Sequence, residues 1–225
     1  MTFSISAHCP ETGMFGVAVS SSSPCVAARC AHARAGVGAV ATQNITDPRL
    51  GPKGLDLMAS GLSAPDALEA LKRDAPHLDY RQLALVDAEG RTASFSGKRT
   101  LGTHRVATGP GVVAAGNLLS DPGVPEAMVA AFNAAAGQSL GDRLLAAMRA
   151  AEAAGGEEGP VHSVGMILVR DQAWPIADLR VDWADEDPIG ELAELWVRWK
   201  GEMEAYVSRA LNPSEAPSYG VPGDL

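Results

Sequence analysis

Strand signals in this chain arrive in pairs joined by turn residues, and helix signals arrive in pairs between them. The first pair sets the pattern. Residues 3–8 put Phe3, Ile5 and Ala7 on one face, Pro10-Glu11-Thr12-Gly13 supplies the turn, and residues 14–20 read as the returning strand. After a small-residue segment over 21–35, residues 36–43 read as a buried, glycine-punctuated strand. Residues 83–87 and 92–96 form another hairpin around Ala88-Glu89-Gly90. Short strands over 106–108 and 112–115 flank Gly109-Pro110-Gly111, and residues 164–169 and 176–181 make the last pair.

The helix pairs fall between these hairpins. One helix is expected over 52–60. A second runs from the N-cap Ser63, with Asp66 completing a capping box, to about Asp74. The next pair spans 122–136 and 139–153, and a final helix opens at Asp187-Pro188 and runs to about Leu211. Hairpins with segregated helix pairs predict an α+β fold of stacked layers rather than a doubly wound parallel sheet. Residues 1–211 are expected to form one domain, with 212–225 a loosely held, Pro/Ser/Gly-rich tail.

Composition narrows the function classes. The 225 residues are 46% hydrophobic and 20% charged, with a net charge of −9. No basic stripe with interleaved aromatics is present, so nucleic acid is not the expected partner. The longest apolar runs are too short to span a bilayer, and the N-terminal stretch lacks the pattern of a signal peptide, so no membrane partner and a cytoplasmic location are expected. Cys9, Cys25 and Cys30 have no metal-type spacing and read as packed, reduced thiols. The five histidines show no HxH or HExxH pattern, and neither a GxGxxG nor a P-loop occurs, so no metal and no cofactor are expected. Trp196 and Trp199, three apart on the last helix, make a homo-oligomer the expectation.

The chemistry-bearing candidate is Thr2. Its short side chain permits removal of Met1. A terminal threonine then carries a hydroxyl nucleophile and its own α-amine as base, an amine that titrates near ~7.7–8.0. His8 has the same strand parity but lies roughly 20 Å along the strand, too far to serve as that base.

The ordered motifs Thr2-Phe3-Ser4-Ile5, Pro10-Glu11-Thr12-Gly13, Gly16-Val17-Ala18-Val19-Ser20 and Ala33-Arg34-Ala35-Gly36-Val37-Gly38-Ala39-Val40-Ala41-Thr42-Gln43 resemble the bacterial DUF1028 family. So do Gln82-Leu83, Val86-Asp87, Gly90-Arg91, Gly116-Asn117 and Leu179-Arg180-Val181-Asp182. The resemblance covers residues 2–211. Members of that family look like N-terminal-nucleophile (Ntn) hydrolases, which implies a four-layer αββα sandwich with two antiparallel or mixed sheets between helical layers. It also implies a nucleophile at the start of the first strand. An amide of a small molecule or short peptide is the implied substrate.

On that reading Asn117, at the end of an apolar strand, donates to the developing oxyanion. Ser20 hydrogen-bonds the α-amine. Gln43 and Asn44 contact substrate, with Gln43 favoured over Thr42 because adjacent strand residues face opposite sides. One stretch departs from the family pattern. Relatives tend to carry Gly-Gly-Asp and an arginine where this chain has Gly155-Gly156-Glu157-Glu158-Gly159, which puts any substrate contact by that loop in doubt. Two alternatives remain: a non-catalytic binding or assembly module on the same fold, and a hydrolase using Cys25 or Ser20.

Overall fold

The structure is a computed structural model that describes residues 1–221. It is mixed α+β, with two antiparallel sheets and six α-helices among the described residues. The first sheet contains β1 (Thr2–Cys9), β2 (Met14–Ser21), β7 (Arg105–Gly109), β8 (Val112–Asn117), β9 (Ser163–Val169) and β10 (Ala177–Val181), in the order β10-β9-β2-β1-β8-β7. The second contains β3 (Ala31–Arg34), β4 (Gly38–Asn44), β5 (Arg81–Asp87) and β6 (Thr92–Ser96), in that order. The helices are α1 (Ala27–Cys30), α2 (Leu50–Ala59), α3 (Ala64–Asp74), α4 (Val124–Ala134), α5 (Leu140–Ala153) and α6 (Pro188–Leu211), with a 3-10 turn at Leu78–Tyr80.

Strand alternation explains how these elements stack. Phe3, Ile5, Ala7 and Cys9 of β1 join Met128 and Phe132 of α4, Leu144 and Met148 of α5, and Leu192 and Trp196 of α6 in one apolar cluster. The opposite face of that sheet brings Phe15, Val17, Val113 and Ala115 against Ala39, Ala41, Ala84 and Val86 of the second sheet. The outer face of the second sheet buries Val40, Leu83 and Leu85 against Leu55, Met58, Leu68 and Leu71 of α2 and α3. The side chains between the sheets are mostly alanine and valine, so the two backbones approach closely.

Several local expectations are met, and some shift. Ser63 caps α3 by accepting from the Asp66 N–H at 3.2 Å, as the capping-box pattern predicts. Ser139 does the same for α5 through Asp142 N–H at 3.3 Å. The small-residue segment over 21–35 is not featureless. It contains α1 and β3, and β3 pairs with β4 as a further hairpin. Among the described residues no helix is long and apolar enough to cross a membrane. In the expected tail, the Arg209 guanidinium of α6 lies 3.9 Å from the Tyr219 ring centroid, so residues around 219 fold back on the helix. The tail's last four residues lie outside the described residues.

Candidate active site around Thr2

Thr2 opens β1, one of the two central strands of the larger sheet. β1 is hydrogen-bonded on one side to β2, with Phe3 opposite Ser20, and on the other to β8, with Thr2 directly opposite Asn117. Directly opposed residues in an antiparallel pair project from the same face about 5 Å apart. Here that face looks toward the second sheet. Thr2 and Asn117 are both buried.

The Thr2 hydroxyl lies against the carbonyl of the residue before it. Thr2 Oγ1 donates to the Met1 carbonyl oxygen and sits 3.4 Å from Ser21 Oγ. Ser21 Oγ donates to the same carbonyl at 2.5 Å. Ser21 is in turn 2.9 Å from Ser23 Oγ, which accepts from Arg29 Nη2 at 2.6 Å. With the Ser21 proton on the Met1 carbonyl and the guanidinium donating to Ser23, the Ser23 hydroxyl points its proton at Ser21. A cation thus polarises a chain of two hydroxyls that ends on the carbonyl beside Thr2.

Behind this point lies a buried amide network joining the sheets. Ser4 Oγ donates to Gln43 Oε1 at 2.6 Å, and Gln43 Nε2 donates to Gln82 Oε1 at 2.8 Å and to the Ala115 carbonyl at 3.2 Å. Gln82 Nε2 donates to the Gly116 carbonyl at 3.0 Å and Ser96 Oγ at 3.1 Å. Asn117 Nδ2 donates to Gln82 Oε1 at 3.1 Å. These bonds fix the orientation of all three amides. Asn117 keeps one spare N–H, while its Oδ1 has no hydrogen-bond partner among the described residues.

The candidates from the sequence separate accordingly. Thr2 and Asn117 face each other. Gln43 stands one amide away, but both its donors and its acceptor are engaged within the network. Ser20 does not reach the start of β1 on this face. It shares its side of β2 with Ala18, in the helix-facing cluster, and donates to the Ser163 carbonyl at 3.2 Å. The residue that meets Thr2 is its neighbour, Ser21. Asn44 turns away as well. Held at φ 74°, it donates to the Tyr80 carbonyl at 2.6 Å and accepts from Leu101 N–H at 3.2 Å, which ties loops together. Cys25 is exposed on the loop before α1. Among the described residues no three or more His, Cys, Asp or Glu side chains gather as a metal site.

Sequence reasoning also missed Glu157 as part of this region. Its carboxyl is buried, and a β-bridge between Glu157 and Leu119 fixes it beyond the end of β8. Burial pushes the Glu157 carboxyl up to about 7, while the positive chain terminus and the Ser22 N–H and hydroxyl favour its ionised form. The only signal in the sequence was its place in the stretch that departs from the family pattern.

The family model described as "Family of unknown function (DUF1028)" matches residues 2–192. The chain belongs to the DUF1028 family. The matched stretch contains Thr2, Ser21, Asn117 and Glu157. Among solved structures, this DUF1028 chain is similar to protein SPO2555 from Silicibacter pomeroyi, also described as DUF1028, at 33% identity and a TM-score of 0.81 over 88% of each chain. A weaker likeness is to Anbu (ancestral beta-subunit) from Yersinia bercovieri, at 8% identity and a TM-score of 0.42 over 91% of this chain and 97% of that one, too low to argue from. No curated protein matches.

Proposed function

We propose that this DUF1028 chain is an N-terminal-nucleophile amidohydrolase on a four-layer αββα sandwich of the Ntn type, cleaving an amide of a small molecule or short peptide through Thr2. The reading is carried by one observation: Thr2 Oγ1 lies against a carbonyl that a second hydroxyl, Ser21 Oγ, also holds.

Loss of Met1 frees the Thr2 α-amine. That amine takes the Oγ1 proton as the oxygen attacks the substrate carbonyl. The carbonyl oxygen becomes an oxyanion, received by Ser21 Oγ–H, with Ser23 and Arg29 polarising it, and by the spare Asn117 N–H. The α-ammonium then returns its proton to the leaving amine as the C–N bond breaks. Water, deprotonated by the same α-amine, hydrolyses the resulting ester and restores the Thr2 hydroxyl.

The test is covalent. Protein whose intact mass establishes loss of Met1 is treated with a β-lactone, and the modified peptide is mapped. Acylation of Thr2, abolished in Thr2→Ala, supports the reading. Acylation of Cys25 or of no residue overturns it. The burial of the Thr2 hydroxyl under a half-buried Met1 favours a second reading, a binding module that keeps Met1. Retained Met1 in protein from the native organism is the outcome that reading expects.

A further inference from the structure

Met1 occupies the space beside the proposed nucleophile, and its contacts outline what that space accepts. Its carbonyl is held by Ser21 Oγ at 2.5 Å. Its side chain lies on Gly159, where an added Cβ would fall 2.7 Å from Met1 Cε and 3.3 Å from Sδ. A larger residue at 159 would therefore fill this space.

Two positions before Gly159 stands Glu157. The loop reaches it through Gly155 at φ 107° and Gly156 at φ 60°, conformations that favour glycine and that turn the next side chain inward. Glu157 is 5% exposed. Its backbone is tied to the end of β8 by the bridge to Leu119 and by Glu158 N–H donating to the Leu118 carbonyl at 2.9 Å. Among the described residues neither carboxylate oxygen makes a hydrogen bond of normal geometry. Ser22, next to the Ser21 that holds the Met1 carbonyl, approaches it without completing one.

A buried carboxyl without a cation or a full set of donors is costly, and no ion pair among the described residues relieves it. One positive charge does act on it, the α-ammonium of Met1. The carbonyl and the side chain of one aminoacyl group are therefore met by Ser21 and Gly159, and its α-ammonium lies beyond ion-pair distance of Glu157 but within reach of its field. A cleft of about 280 Å³ runs past Glu157 and Gly159, and Glu152, Asp185 and Asp187 are the other carboxylates that line it.

We infer that the space left by Met1 binds an acyl group with a free α-amine, as in an amino-acid amide or a peptide with an unblocked N-terminus, and that Glu157 receives its ammonium. The inference rests on the reading of Thr2 as the nucleophile for its catalytic meaning, but its binding test does not.

The probe is L-methioninol, which carries the amine and the side chain but no bond to hydrolyse. It is titrated calorimetrically into protein lacking Met1, beside N-acetyl-L-methioninol. The expected result is at least about tenfold tighter binding of the free amine, the scale of a charge-assisted contact. In Glu157→Gln, checked for fold by circular dichroism, the two ligands bind within about twofold. Equal binding of both by the unsubstituted protein overturns the inference, as does preference for the amine that survives Glu157→Gln. No binding of methioninol at millimolar concentration overturns it too. Thr2 acylation by the β-lactone together with any of these results leaves the hydrolase reading standing without this substrate class. Amine-selective binding without acylation does the reverse.

Discussion

At the scale of single residues, the proposed oxyanion site turns on Ser21 and the proposed recognition of an amine on Glu157. Ser21→Ala removes a hydroxyl that donates to the carbonyl beside Thr2, so the rate of Thr2 acylation by a β-lactone is expected to fall on the order of 10²-fold. An unchanged rate would remove Ser21 from the oxyanion site. Glu157 makes a prediction about pH. Its folded-state carboxyl stands at about 7, against an ordinary value of 4.5. A raised value means the folded state holds the proton more tightly. Its stabilising contribution is complete below about 4.5 and lost as pH climbs through about 7, a loss of roughly 3 kcal/mol. In the chain that keeps Met1, Glu157→Gln should therefore gain stability over the unsubstituted protein at pH 8 but little at pH 4.5, measured by urea unfolding at both. A gain of the same size at both pH values would refute it. Thr2 and Asn117 were legible because each stands at the end of a recognisable strand. Glu157 was not, since nothing in a polar, glycine-rich loop reveals that its acid is turned inward.

At the scale of elements, one residue of register separates the sequence reading from the structure. Placing Ser20 near Thr2 follows the hairpin correctly, but residue 20 shares parity with the helix-facing Ala18, so the side chain that meets Thr2 belongs to Ser21. α3 was easier to read because the capping box at Ser63 marks its start. α1 and β3 were hidden because Ala27, Ala28, Ala31 and Ala33 carry no periodic contrast. Close helix contact gives another prediction. On α5, a Cβ at Gly141 would stand 2.7 Å from Cε2 of the Trp196 ring, and the Trp196 indole N–H donates to Asp142 Oδ1 at 2.8 Å. Gly141→Ala is expected to force the ring off this seat and cost about 1–3 kcal/mol, read by urea unfolding and by the tryptophan emission. A cost near zero would mean that α6 shifts freely on α5.

At the scale of the whole molecule, the two sheets are joined by alanines, valines and one polar network. The apolar part was readable from near-continuous apolar strands. The network was not, because Ser4, Gln43, Gln82 and Asn117 come from four separate strands and meet only when the sheets stack. Gln82 is its centre: its Oε1 accepts from two amides and its Nε2 donates twice. Gln82→Leu strands those partners in a buried space. It is expected to destabilise the fold by about 2–4 kcal/mol, more than a truncation that leaves room for water. Urea unfolding of Gln82→Leu beside Gln82→Ala tests the ranking, and equal costs would point to simple loss of volume instead.

Chain ends ordinarily fray first. Here the first strand shares the centre of its sheet with β2, with β8 on its other edge, helices over one face and a second sheet over the other. The amides of Phe3 through Ala7 should therefore exchange their hydrogens only when the entire molecule opens, on the slowest timescale the protein has. A reporter on the Phe3 amide would be a gauge of global unfolding.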